Sequence, residues 1–266
     1  MRLSLNISPC PNDTFMFHAM LFGLVDTEGL EFDVSFYDIE ELNARLLDGN
    51  VQISKSSYAV LPAICGRYAL LDSGSALGRG NGPLVVAARD GVMLSDGSLR
   101  VAVPGEHTTA NMLMGRLFPV ITDKTPRLFS TIAESVAEGE FDAGVLIHEG
   151  RFTYQERGLK LVADLGEEWE QTTSLPLPLG AIVASRELSR EVRQRVERVL
   201  RRSVEYAFAN PDASFDFVLD HAREMKPDVV RSHIELFVNR YSLSLGEDGL
   251  SAVKWLTGLN SEELFG

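Results

Sequence analysis

Leu84-Val85-Val86-Ala87-Ala88 is a continuous apolar run, and Ala181-Ile182-Val183-Ala184 answers it late in the chain. Short runs of this kind read as strands covered on both faces. Before the first run, strand and helix patterns already alternate. Leu3–Ile7 alternates apolar and polar residues, the turn Ser8–Thr14 ends in N-cap residue types, and Phe15–Val25 reads as an apolar helix. Leu30–Phe36 is a strand with one wet face, Glu40–Leu47 a helix stopped at Asp48-Gly49-Asn50, Val51–Ser54 a strand, and Tyr58–Tyr68 a buried helix.

Between the two runs the alternation restarts. Arg100–Val103, Ala143–Ile147 and Leu159–Leu165 read as strands, and Thr109–Phe118 and Ala133–Glu138 as helices. After the second run the pattern turns helical. Val192, Val196, Val199, Leu200 and Val204 form one stripe, and Ala213–Met225, Val229–Tyr241 and Gly246–Leu256 three more helices. Strands separated by helices imply parallel pairing and an α/β fold. The sequence therefore predicts two α/β lobes, residues 1–88 with 184–266 and residues 89–183, with a ligand cleft between them. A single larger open sheet is the competing arrangement.

The 266 residues carry 25 Lys+Arg against 38 Asp+Glu, a net charge of −13. This field disfavours nucleic acid and anionic membranes, and no Lys/Arg run offsets it. Two cysteines, Cys10 and Cys65, leave no basis for a disulfide framework or thiolate cluster. No apolar run reaches membrane-spanning length, and the N-terminus lacks the pattern of an export signal, so a cytoplasmic protein is expected. Oligomeric state is left open.

Candidate chemistry concentrates in a few places. Gly74–Pro83 is glycine-rich, but Pro83 and a strand follow it where a dinucleotide or phosphate site needs a helix start. It reads as a loop in which Arg79 could reach an anion. Gly105-Glu106-His107-Thr108-Thr109-Ala110 follows a strand and opens a helix, so it could bind a carboxylate or simply be capped by Thr108. Lys55-Ser56-Ser57 is expected at a second helix start, and loops at the carboxyl ends of strands are where open α/β sheets bind ligands. His148 follows a buried strand, with Glu149 and Arg151 nearby, and suits either a general base or a structural role. His18, His221 and His233 fall on helix faces, and no histidine spacing matches a metal site. Cys10, between two prolines, reads as part of a turn.

Ser8–Phe15, Ala76–Ala87, Val101–Ala110, Ile147–Tyr154 and Leu175–Ile182 together resemble the 1,4-dihydroxy-6-naphthoate synthase family. The resemblance implies the two-lobed fold of periplasmic solute-binding proteins (type II), used as a cytoplasmic enzyme of the futalosine route to menaquinone. It implies conversion of cyclic dehypoxanthinylfutalosine to 1,4-dihydroxy-6-naphthoate and a small sugar-derived fragment, without metal or organic cofactor. It implies His148 as the base, and Lys55, Ser56, Ser57, Thr108 and Thr109 as the residues binding a small anionic organic substrate. The family often has an apolar residue where this chain has Ser56, which argues against a side-chain role there. Contact of Asn12, Arg79 or Arg151 with substrate is left open by the sequence. Competing readings are a solute-binding protein, which needs an export signal; chorismate dehydratase, a relative from the same pathway; and a ligand-sensing module, which lacks a DNA-binding segment here.

Overall fold

The computed structural model describes residues 1–222 and 226–266. The chain divides into two compact units, Met1–Gly78 with Pro178–Gly266, and Arg79–Leu177. In chain order the strands are β1 (Arg2–Ile7), β2 (Glu31–Phe36), β3 (Ile53–Ser57), β4 (Tyr68–Leu70), β5 (Ala76–Gly78) and β6 (Leu84–Ala87). They continue as β7 (Val101–Val103), β8 (Lys124–Pro126), β9 (Ala143–Leu146), β10 (Lys160–Asp164) and β11 (Leu177–Ser185).

The first unit is built on the sheet β2-β1-β3-β11-β4, with β5 also paired to β11. β1 runs parallel to β2 and β3, whereas β11 is antiparallel to β3 and β4. Helix Pro11–Leu21 follows β1 and is buried through Met20, so it has no wet face. It packs against the helices Arg190–Ala209, Phe215–His221 and Pro227–Phe237. The Ser203 hydroxyl, wholly buried, donates to Met16 O at 2.6 Å and accepts from Met20 N at 3.1 Å, tying two of these helices together. Leu3, Leu5, Ile7, Phe15, Met16, Phe17, Ile182, Val196, Val199 and Leu200 share this core. Each such side chain contributes about 1.5–3 kcal/mol on leaving water.

The second unit carries the sheet β10-β6-β9-β7-β8. β9, β7 and β8 are parallel, and β6 is antiparallel to both β9 and β10. Leu84, Val86, Ala102, Ile132, Val136, Phe141 and Leu146 form its core with helix Phe129–Ala137. Gly82 and Gly166 approach so closely that a Cβ on Gly82 would sit 2.1 Å from Gly166 N. That approach lets the glycine-rich segment lie on the start of helix Leu165–Thr173.

Several expectations need correction. Strand Leu84–Ala87 pairs in the second unit's sheet and residues 178–183 in the first unit's, so residues 79–88 and 178–183 lie in the opposite units from those expected. Hydrogen-bond partners decide membership, and partners are not visible in one strand's composition. The first helix spans Pro11–Leu21 instead of Phe15–Val25, because Pro11 suits the first helical position and Asp13 the first turn. Tyr58–Tyr68 is a single turn Tyr58–Val60, a short helix Leu61–Ile64 and the start of β4. Helix Leu165–Thr173 was not expected; Asp164 caps it by accepting from Gly166 N and Glu167 N. Pro178 and Gly180, read as punctuation, lie inside β11, with pairing to β3 beginning at Gly180. The helix expected over Ala213–Met225 is Phe215–His221, and its expected end at Met225 lies outside the described residues.

Candidate functional site

In both units the sequence-predicted residues gather where parallel strands end. In the first unit, Lys55, Ser56 and Ser57 are not at a helix start. They are the last residues of β3, all buried, paired to Ile182, Ala181 and Gly180 of β11. The correction has a physical cause: β3 pairs with β1 only as far as Ser54, but its antiparallel ladder to β11 runs on through Ser57, so the residues whose polarity suggested a loop are strand.

Strand alternation sends Lys55 and Ser57 to one face and Ser54 and Ser56 to the other. Lys55 Nζ donates to Asp13 Oδ1 at 2.6 Å, an ion pair with side-chain exposures of 6% and 0%. The Asp13 carboxylate also accepts from Ser8 Oγ at 2.7 Å, Ser8 N at 3.2 Å and Asn12 Nδ2 at 2.8 Å. The Lys55 stem passes over Gly180, where a Cβ would meet Lys55 Cε at 2.8 Å. Ser57 is clasped by Asn43, whose Oδ1 accepts from Ser57 N and whose Nδ2 donates to Ser57 Oγ, both at 2.9 Å. Ser56 Oγ donates to Ser57 O at 3.0 Å. Asn12 Oδ1 faces His233 Nε2 at 3.1 Å.

In the second unit, Thr108 is the N-cap of helix Thr109–Leu117. Its Oγ1 accepts from Asn111 N at 3.2 Å and donates to Gly105 O at 3.1 Å, so the capping reading holds for that hydroxyl. Thr109, the first helical residue, is buried, and His107 is half-buried. His148 stands in the turn closed by Gly150 N donating to Ile147 O, directly after β9. Its φ is +54°, a region costly for any residue with a Cβ, and its ring packs edge-on against Phe129 at 4.8 Å. β7 and β9 are parallel neighbours in register, so the Thr108 and His148 segments leave the same edge of the sheet.

The two arginines raised from sequence are engaged inside the second unit. Arg79 pairs with Glu170 and donates to Ser174 O, and Gly80 N donates to Glu170 Oε1. Arg151 donates to Gly82 O at 2.5 Å and pairs with Asp164 at 3.3 Å. These contacts pin the glycine-rich segment. Cys10 is the buried N-cap of the first helix, and its carbonyl accepts from Asp13 N and Thr14 N. His18, His221 and His233 lie in helices, as their spacing predicts. Sequence reasoning missed Asp13 and Asn43 as partners of the Lys55 segment, and Ser8 and His233 as groups behind them. One signal was available: a lysine amid strand residues bound for the interior requires a buried carboxylate.

Residues 3–262 match the family model described as menaquinone biosynthesis. A 1,4-dihydroxy-6-naphthoate synthase of Thermus thermophilus is 44% identical over 94% of this chain and 91% of its own length. One of Streptomyces coelicolor is 44% identical over 96% and 91%. A crystal structure of an Archaeoglobus fulgidus protein matches with a TM-score of 0.89 and 35% identity, over 97% of this chain and 96% of that one. The alkanesulfonate-binding protein SsuA of Xanthomonas axonopodis, solved with MOPS, matches with a TM-score of 0.71 at 14% identity, over 98% and 93%. That second likeness shows the periplasmic-binding-protein fold.

Proposed function

The chain belongs to the 1,4-dihydroxy-6-naphthoate synthase family of menaquinone biosynthesis, and on that premise we propose that it cleaves cyclic dehypoxanthinylfutalosine with His148 as the base. The imidazole takes a proton from the substrate. The electron pair released breaks the carbon–carbon bond to the sugar-derived fragment, and the ring system left behind becomes aromatic. The pair of the broken carbon–carbon bond stays on one of the two products, and the imidazolium returns its proton there, so the step is redox-neutral and a lyase reaction. An imidazole suits this exchange because its ordinary pKa lies near neutral pH.

The observation that carries the reading is the backbone of His148. A non-glycine residue held at φ +54° at a strand end is strain that the fold tolerates, and such strain gathers at functional positions. The edge contact with Phe129 supports it by restricting the ring. The substrate carboxylate is assigned to the start of helix Thr109–Leu117, where backbone N–H groups and the helix dipole favour an anion despite the net charge of −13. Since the Thr108 hydroxyl is committed to its cap, the side-chain contact is assigned to Thr109. In the first unit, substrate binding is assigned to Lys55, Ser56 and Ser57, Ser56 through its backbone. A small anionic substrate, a cytoplasmic setting and independence of cofactors belong to the same proposal.

The test is direct. Purified protein incubated with cyclic dehypoxanthinylfutalosine, without added cofactor, should yield 1,4-dihydroxy-6-naphthoate by mass spectrometry. Turnover of chorismate instead would replace this reading with chorismate dehydratase.

A further inference from the structure

Behind Lys55 lies a line of buried polar groups that a substrate contact alone does not require. Asp13, Asn12 and His233 are 0%, 5% and 1% exposed, in a region otherwise packed with apolar side chains. An ionised carboxylate only accepts hydrogen bonds, so Asp13 draws the Asn12 amide NH2 toward Oδ1. That turns Asn12 Oδ1 toward the helix Pro227–Phe237, where it accepts from His233 Nε2. The bonds thus run in one direction, His233 Nε2–H to Asn12 Oδ1 and Asn12 Nδ2–H to Asp13 Oδ1, the same oxygen that takes the Lys55 ammonium. A buried ion pair adds little stability over a well-packed apolar replacement, so stability alone does not account for this arrangement.

We propose that His233, acting through Asn12 and Asp13, is a positioning residue that sets the place of the Lys55 ammonium for substrate binding. The proposal rests on the reading above that the Lys55 segment contacts substrate. Without the His233 donor, Asn12 Oδ1 has lost the group that fixes the orientation of its amide. The second bond to Asp13 Oδ1 then weakens, and the carboxylate that anchors Lys55 gains freedom. The effect belongs to binding, because the proton transfer is assigned to His148.

The experiment measures kcat, KM and Tm for naphthoate formation by the wild type, H233L, H233Q, N12A and K55Q. H233L and N12A should raise KM by about 3- to 10-fold, the equivalent of one hydrogen bond, with kcat nearly unchanged. H233Q should restore a near-wild-type KM, since its amide N–H can replace the ring Nε2–H, whatever happens to Tm. A wild-type KM in H233L and N12A, with only Tm lowered, would overturn the relay. So would an equal rise in H233L and H233Q. If H233L does not fold, N12A interrupts the same line and decides alone. K55Q separates the two levels: a raised KM there with an unchanged one in N12A sinks only the relay, whereas an unchanged KM in K55Q sinks the Lys55 contact itself.

Discussion

The strand ends of the two units solve opposite problems. In the first, an ammonium and a carboxylate are removed from water and enclosed by hydrogen bonds, so Lys55 is held by Asp13, Asp13 by Ser8 and Asn12, and Ser57 by Asn43. In the second, a half-buried imidazole sits on an unfavourable backbone angle with its ring against Phe129. A group that binds gains from rigidity, because order paid in advance is not lost on association. A base has to exchange protons, which a group wholly enclosed in the interior does poorly. The contrast fits the proposed division, with anchoring in the first set and chemistry in the second.

His148 offers the strongest way to break this division. H148A should lower kcat by about 10²- to 10⁴-fold, with Tm close to wild type, as steady-state kinetics and thermal melts would report. H148G should be equally inactive yet no less stable, because glycine adopts φ +54° without a Cβ penalty. Near-normal turnover in either variant would remove His148 from the chemistry.

Asp13 should reverse that pattern. D13N leaves a buried ammonium without its counter-charge, and denaturant unfolding should show a loss of about 3–5 kcal/mol. Adding Lys55→Met to D13N should recover part of the loss, since the double variant no longer buries an unpaired charge. Strict additivity of the two single losses would mean that the pair is not coupled.

Thr108 lies between these extremes, as a capping residue beside a proposed binding residue. T108V should cost about 1 kcal/mol of stability through the lost cap while leaving substrate affinity largely intact. T109V should weaken substrate binding with less change in stability. Equal affinities in wild type and T109V would remove the contact assigned to Thr109.

The smallest effect lies away from both sets. Glu28 is held by Arg198 and Arg202, whose hydrogen bonds and charges bring its carboxyl down to about 2 from an ordinary 4.5. A depressed carboxylate stabilises above its unfolded value and loses that contribution as pH falls toward the folded one. Wild type should therefore exceed E28Q slightly in Tm above pH 5, with the gap closing on acidification. A gap that widened in acid would contradict the ion-pair network.

Much of this was legible beforehand. The alternation in Leu3–Ile7, the runs at Leu84 and Ala181 and the stripe from Val192 to Val204 depend on local periodicity, which survives in one sequence. His148 was legible because a strand ending in a titratable residue is itself a local signal. The polarity of Lys55-Ser56-Ser57 suggests a helix start, whereas pairing with β11 makes it strand. His233 looked like an ordinary helix-face residue, and its partner Asn12 lies far away in sequence.

By itself, then, the sequence determined the α/β class and the sites of most elements, because periodicity and residue type act over short spans of chain. Tertiary structure alone decided which sheet each strand joins, that Lys55 neutralises Asp13, and that His148 occupies a left-handed backbone. Each of these depends on groups brought together from separate stretches, where the low dielectric of the interior makes an ion pair obligatory and surrounding packing holds a strained angle in place.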